Sequence, residues 1–203
     1  MIVGISSNIK RHYENYCDFV DYYWINYFKK KNIKFLVFPN SKLSTKSILN
    51  SNKKHLNLII LQGGNDIFDS SKEIKNRNDN ENLIIKFAIA NNIPLLGVCR
   101  GMQLINLYFG GKIIKKKRHM RTKHNVNFSN KKFFKLNNLN VNSFHNFCIT
   151  NYSIGKNLEV ISKADDQTIE LFRHNRHKIY GVMWHPERSK SSLFLDKLID
   201  FCK

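Results

Sequence analysis

The segment Gly97-Val98-Cys99-Arg100-Gly101-Met102-Gln103-Leu104 constrains this chain more than any other. An apolar run from Pro94 to Val98 predicts a short buried strand, and Leu104 to Phe109 predicts a helix. A cysteine between two glycines, where a buried strand turns into a helix, has the pattern of a nucleophile elbow. Small flanking residues permit the strained turn, and the helix N-terminus behind it favours a thiolate and a developing oxyanion. A lone cysteine is more often plain core packing. What changes that balance is a second segment, Gly181-Val182-Met183-Trp184-His185-Pro186-Glu187, which supplies a histidine and a carboxylate to accompany the thiol.

The surroundings of the elbow predict a fold. Ile2–Ser6, Ile33–Phe38 and Leu56–Leu61 read as strands, the last two closed by Pro39 and by Gln62-Gly63-Gly64-Asn65-Asp66. Tyr16–Lys30 has apolar residues at helical spacing, Asp69–Asn80 is polar enough to read as a loop, and Glu81–Asn91 reads as a helix. Strand–helix alternation of this kind predicts an α/β fold, a three-layer α/β/α sandwich of flavodoxin-like character with a mostly parallel central sheet. The second half differs. Lys123–Phe128, Glu159–Ala164, Thr168–Arg173 and Lys178–Met183 read as strands, the last three at hairpin-like spacing, and Leu193–Phe201 as a terminal helix. A length of 203 residues suits one domain spanning 1–203.

Composition excludes some classes. No apolar stretch approaches the roughly 20 residues that cross a bilayer, and the N-terminus lacks the basic-then-apolar order of a signal peptide. The cysteines Cys17, Cys99, Cys148 and Cys202 form no CxxC pair, so a reducing cytoplasm is the expected setting and Cys99 the expected free thiol. Eight histidines occur without a metal-ligand spacing, so no metal and no other cofactor is expected. The net charge of +19 fits a polyanionic partner, but a chain rich in Lys, Asn and Ile also carries such charge by composition alone. The run from Lys112 to Lys123 lacks interleaved aromatics, so nucleic acid is not the expected partner.

Covalent acyl transfer needs a nucleophile, a base, a group that orients the base, and donors for the oxyanion. Cys99, His185 and Glu187 fit the first three, provided the strand from Lys178 continues far enough to put His185 and Glu187 on one side. The N–H groups of Arg100 and of the Gly63-Gly64 loop fit the fourth, because both loops follow parallel strands at their carboxyl ends.

With these residues in place, the chain resembles the class I glutamine amidotransferase-like family. The resemblance rests on Cys99-Arg100-Gly101-Met102-Gln103 and His185-Pro186-Glu187, on Gln62-Gly63-Gly64-Asn65-Asp66, on Arg77-Asn78-Asp79-Asn80-Glu81 as a helix start, and on Phe109-Gly110-Gly111 and Val141-Asn142-Ser143-Phe144-His145. Arg100 points to the branch of γ-glutamyl-γ-aminobutyrate hydrolase and related γ-glutamyl hydrolases. The resemblance implies a Cys99–His185–Glu187 triad, with Gln103, Ser143, Phe144 and His145 near the glutamyl group.

Two departures bear on the substrate. Asn146-Phe147 stands where that branch usually has His-Gln, and the chain is short around 69–80 and after Gly111. Both put polyamine-derived leaving groups in doubt. A compact pocket beside Lys115–Lys123 suits an anionic leaving group, such as that of a γ-glutamyl nucleotide amidate in capsule biosynthesis. The alternatives are a glutaminase subunit that passes ammonia to a synthase, and a basic nucleic-acid-binding regulator on an inactive scaffold.

Overall fold

A computed structural model describes residues 1–116, 119–129 and 137–202. The chain order is β1 (Ile2–Ser6), β2 (Asn8–His12), β3 (Asn15–Phe19), α1 (Tyr22–Lys30), β4 (Lys34–Phe38), α2 (Lys42–Asn52), β5 (Leu56–Leu61), α3 (Lys72–Ala90), β6 (Leu95–Val98) and α4 (Arg100–Tyr108). It continues with β7 (Ile114–Lys115), β8 (Met120–Phe128), β9 (Asn138–Phe144), β10 (Phe147–Cys148), β11 (Leu158–Ala164), β12 (Ile169–His174), β13 (Ile179–Val182), a 3-10 turn at Pro186–Arg188, and α5 (Leu193–Cys202).

One nine-stranded sheet organises the molecule in the order β4-β1-β5-β6-β13-β12-β11-β8-β9. Its first five strands are parallel to one another. Among themselves they run in the spatial order second, first, third, fourth, fifth, which is the flavodoxin-like arrangement. The remaining strands form an antiparallel wing. Alternation along the strands sorts the core onto two faces. Val3, Ile5, Leu58, Ile60, Leu96 and Val98 pack with Trp24 and Phe28 of α1 and Leu195 and Leu198 of α5. Ile59, Leu61 and Leu95 pack with Leu49 of α2, Ile84 and Ile85 of α3, and Ile105 of α4. The expected mostly parallel central sheet between two helical layers is therefore present. Among the described residues, no helix is long and apolar enough to cross a membrane.

Three expectations need correction. Tyr16–Lys30 is not one helix: Tyr16 to Phe19 belongs to β3, which pairs antiparallel with β2, and the helix starts at Tyr22. The break is chemical. The Asp21 side chain accepts from Tyr23 N (3.0 Å) and caps α1 from outside. Nor is Asp69–Asn80 a loop throughout, because α3 begins at Lys72, capped by Ser71, and runs past Glu81. Over 77–81 its inward side is polar (Arg77, Asn80 and Glu81 are buried), which breaks the apolar stripe there. Finally, the strand from Lys178 stops at Val182 and does not reach His185.

The parallel core decides where a site can form. β5, β6 and β13 are adjacent and parallel, so the residues after their carboxyl ends meet at one edge. Those residues are Gln62-Gly63-Gly64, Cys99 and Met183-Trp184-His185.

Candidate active site

Cys99 occupies a strained backbone position, with φ 51° and ψ −105°, between the end of β6 and the first turn of α4. Its N–H donates to Val182 O at 2.7 Å, tying the elbow to β13. The turn is possible because helix and sheet come so close. A Cβ on Gly101 would lie 2.2 Å from Leu61 O, and one on Gly97 would lie 2.5 Å from the Gly101 carbonyl carbon. The glycines flanking the thiol are thus fixed by packing.

His185 is buried, and it shares the pocket wall and the space beside Gly63 with Cys99. The His185 Nδ1 lies 2.6 Å from Glu187 Oε1. The contact runs through the 3-10 turn that begins at Pro186, not along a strand. Asn142 of β9 holds the histidine backbone at two points: its Nδ2 donates to His185 O (2.8 Å) and its Oδ1 accepts from His185 N (2.9 Å). Burial alone would lower the His185 pKa, but the Glu187 carboxylate and then Cys99 outweigh it and raise the imidazole from 6.5 to about 10.

The glycine loop after β5 closes the third side. A Cβ on Gly63 would lie 2.5 Å from His185 Cε1 and 3.3 Å from Cys99 Cβ, so only glycine leaves room for the ring. A buried polar network fixes this loop. Arg77 donates to Asn8 Oδ1 (2.6 Å), Asn65 Oδ1 (2.7 Å), Gln62 O (3.0 Å) and Gly63 O (3.3 Å). Glu81 accepts from Arg77 Nε (3.1 Å), from Ser6 Oγ (2.8 Å) and from Arg100. Arg100 also donates to Asn78 Oδ1. Both amino groups of its guanidinium are therefore held by α3. Burial opposes ionisation of Glu81, but Arg100 and Arg77 outweigh it and hold its pKa below the usual carboxylate range.

A cavity of about 250 Å³ opens over these groups, lined by Gly64, Cys99, Gln103, Phe144, Phe147 and Arg188 among others. Gln103 Nε2 donates to Phe147 O at 3.0 Å. The Phe144 ring meets His185 edge-on, with centroids 5.9 Å apart, and lies under the Arg188 guanidinium. His145 is on the pocket wall but buried; burial and the nearby His119 push its imidazole down to about 3. Ser143 is fully buried, is not on the pocket wall, and donates to His119 O at 2.5 Å.

Several residues that shape the site are absent from the set expected from sequence: Asn8, Asn142, Arg77 and Glu81. Asn142, Arg77 and Glu81 sit inside the motifs that carry the family resemblance, which is the signal that points to them. Of the basic run, Lys117 and Arg118 lie outside the described residues. Lys116 Nζ pairs with Asp166 Oδ2 (2.6 Å), and β7, which holds Lys115, pairs with β10 beside Phe147. His119 is buried and His124 half-buried, whereas a basic loop predicts both in solvent.

Comparison with known proteins places this geometry in context. Residues 14–201 match the family model described as glutamine amidotransferase class-I. The chain is 42% identical over 138 residues to the gamma-glutamyl-CDP-amidate hydrolase of Campylobacter jejuni, a stretch covering 66% of this chain and 64% of that relative. The chain thus spans just under two thirds of that relative's length. It is 32% identical over 178 residues to anthranilate synthase component 2 of Cyanophora paradoxa, covering 86% and 87% of the two chains. Among solved structures, a glutamine amidotransferase from Thermotoga maritima shares the fold, with a TM-score of 0.67 at 18% identity, covering 98% of this chain and 80% of that one.

Proposed function

This chain belongs to the glutamine amidotransferase class-I family, and from that premise we propose that it is an enzyme hydrolysing a γ-glutamyl amide bond through a Cys99–His185–Glu187 triad. The observation that carries the reading is the buried His185 Nδ1–Glu187 Oε1 contact (2.6 Å) in the same pocket as Cys99, which sits at a strained strand-to-helix turn. A thiol next to an oriented imidazole is the arrangement that nucleophilic acyl transfer requires.

In this reading the Cys99 thiolate attacks the γ-carbonyl carbon. The N–H groups of Arg100 and Gly64 receive the oxyanion, each worth roughly 3 kcal/mol in the transition state. The C–N bond breaks as His185 protonates the leaving nitrogen, giving a glutamyl thioester. His185 then takes a proton from water, hydroxide adds to the thioester, and glutamate leaves with the thiol restored. Glu187 fixes the imidazole tautomer and balances the imidazolium. Gln103, Phe144 and His145 border the space for the glutamyl group. We place the whole reaction in a single domain, 1–203, in a reducing cytoplasm where Cys99 stays free.

For the leaving group we propose an anionic one, a γ-glutamyl nucleotide amidate of the γ-glutamyl-CDP-amidate kind. Two observations support it. The relative bearing that name is 42% identical over its aligned part. Lys115 of β7 also stands directly across from the pocket residue Phe147.

A second reading is a glutaminase subunit delivering ammonia to a synthase. It is supported by the alignment with anthranilate synthase component 2 over 86% of this chain. One experiment separates the readings. The protein is incubated with glutamine, γ-glutamyl-γ-aminobutyrate and γ-glutamyl-CDP-amidate, and released glutamate is measured with wild type and Cys99→Ala. Turnover of the nucleotide amidate by wild type alone is the expected result. Turnover of glutamine that appears only with an added synthase partner supports the second reading, and wild-type rates in Cys99→Ala overturn the mechanism.

A further inference from the structure

Behind the pocket wall at His145–Phe147, three imidazoles and a carboxylate converge from separate segments. His119 precedes β8, His124 lies on β8, His145 follows β9, and Glu170 lies on β12. The ring centroids of His119 and His124 are 5.1 Å apart, and those of His119 and His145 are 4.8 Å apart. The Glu170 carboxylate is fully buried, and neither of its oxygens has a hydrogen-bond partner among the described residues. Its neighbours are nitrogens of the cluster. His124 Nε2 is 3.4 Å from Oε2, and His145 Nε2 is 3.8 Å from Oε1, charge contacts without hydrogen-bond alignment. Both nitrogens, and His119 Nδ1, likewise have no hydrogen-bond partner among the described residues. Five buried polar atoms that face one another without satisfying one another carry a high desolvation cost. One divalent cation would satisfy them together.

We propose that this cluster binds a zinc-like transition-metal cation, with His119 Nδ1, His124 Nε2 and the Glu170 carboxylate as ligands and His145 Nε2 as the fourth. One ligand atom from each of His119, His124 and Glu170 lies within 4.8 Å of the others, and His145 Nε2 lies 3.8 Å from Glu170 Oε1. A tetrahedral zinc with bonds of about 2.0–2.1 Å has ligand atoms about 3.3 Å apart, so modest side-chain rotation closes the shell. The outer contacts already set the tautomers that metal binding needs. His119 Nε2 lies 2.9 Å from Asp166 Oδ2, which leaves its Nδ1 lone pair inward. His145 Nδ1 lies 3.1 Å from Phe147 O, which leaves its Nε2 lone pair inward. Asp166 is itself held by Lys116 Nζ (2.6 Å) and Thr168 Oγ1 (2.7 Å). Cys148 Sγ approaches His145 from the other side, 3.6 Å from Nδ1, and stays outside the shell. The cation would tie β8, the end of β9 and β12 together, and so fix the wall that carries His145 and Phe147. Local sequence spacing cannot show such a site, because its ligands are up to 51 positions apart in the chain (170 − 119).

The test uses Cys99→Ala protein, which removes the thiol–imidazole pair of the pocket as a competing zinc site, stripped with EDTA and titrated with Zn2+ and with Co2+. One Zn2+ per chain is expected, with a rise in melting temperature. Co2+ should give the visible ligand-field bands of a tetrahedral site without a thiolate charge-transfer band. Glu170→Gln, which keeps the side chain's size, should abolish stoichiometric binding, and Asp166→Asn should weaken it about 10–100-fold. No uptake by the Cys99→Ala protein overturns the proposal, as does unchanged uptake by folded Glu170→Gln. If Glu170→Gln does not fold, the cobalt spectrum decides, and a thiolate band or non-tetrahedral bands then overturn it. Glutamate release plays no part in these readouts, so they stand apart from the hydrolase reading.

Discussion

His185 Nδ1 lies 2.6 Å from Glu187 Oε1 across a proline, within a 3-10 turn. The turn brings a carboxylate two residues away back under the ring, and burial keeps water from competing for it. Replacing Glu187 with Gln keeps the shape but removes the charge that balances an imidazolium and selects the tautomer. Glutamate release by Glu187→Gln is expected to fall by about 10²–10⁴-fold, with the fold retained by circular dichroism. A rate within a few-fold of wild type would remove Glu187 from the triad.

Glu81 joins three elements below the site: β1 through Ser6, its own helix through Arg77, and the elbow through Arg100. Changing it to Gln leaves two guanidinium groups buried without a counter-charge. The expected loss is about 3–5 kcal/mol in urea unfolding. The pH dependence has a definite sign. The folded pKa of Glu81 is below its ordinary 4.5, so its contribution is present above that value and is lost as pH falls through the lower folded one. Acid unfolding should be less steep in Glu81→Gln than in wild type, and an identical acid limb would contradict this assignment.

How much of this is legible in the sequence depends on whether the information is local. The elbow is legible because one short segment contains strand, cysteine, glycines and helix. The parallel core is legible because β1, β4, β5 and β6 are compact apolar runs. The β2–β3 hairpin is not, because every residue of β3 is exposed and no alternation marks it, while Phe19 and Val20 continue the apolar spacing of the helix that follows. The first turns of α3 are hidden because their inward residues, Arg77, Asn80 and Glu81, are polar and satisfied only by tertiary contacts. The His185–Glu187 contact is expected from spacing two apart on a strand, and it forms by a turn instead. The two-point grip of Asn142 on His185 needs β9 to be placed beside the loop after β13, which no local pattern encodes.

Gly63 offers a test of crowding. Its missing Cβ is the space that His185 Cε1 uses, at 2.5 Å from where that atom would lie. Alanine there must push the imidazole away from Cys99 or shift the loop held by Arg77. A displacement of about 1 Å costs on the order of 10²-fold in rate, so Gly63→Ala should lose activity by roughly that factor while its melting temperature changes little. Wild-type turnover in Gly63→Ala would show that the ring does not need that space.

The protonation of His185 links the site's electrostatics to its chemistry. Burial lowers the pKa of the ring, and the carboxylate of Glu187 followed by Cys99 raises it further than burial lowers it, to about 10 from an ordinary 6.5. A raised pKa stabilises the fold below the unfolded value, and that contribution is lost as pH climbs from about 6.5 towards about 10. The ring of wild type is therefore expected to remain an imidazolium at neutral pH, read from its nitrogen chemical shifts by NMR. In Glu187→Gln the largest raising influence is gone, so the ring should titrate at distinctly lower pH, and stability should fall less over the same alkaline range. A wild-type ring that is already neutral near its ordinary pKa would mean that Glu187 and Cys99 do not outweigh burial. The ring would then first take the Cys99 proton as a base, and the imidazolium so formed would protonate the leaving nitrogen.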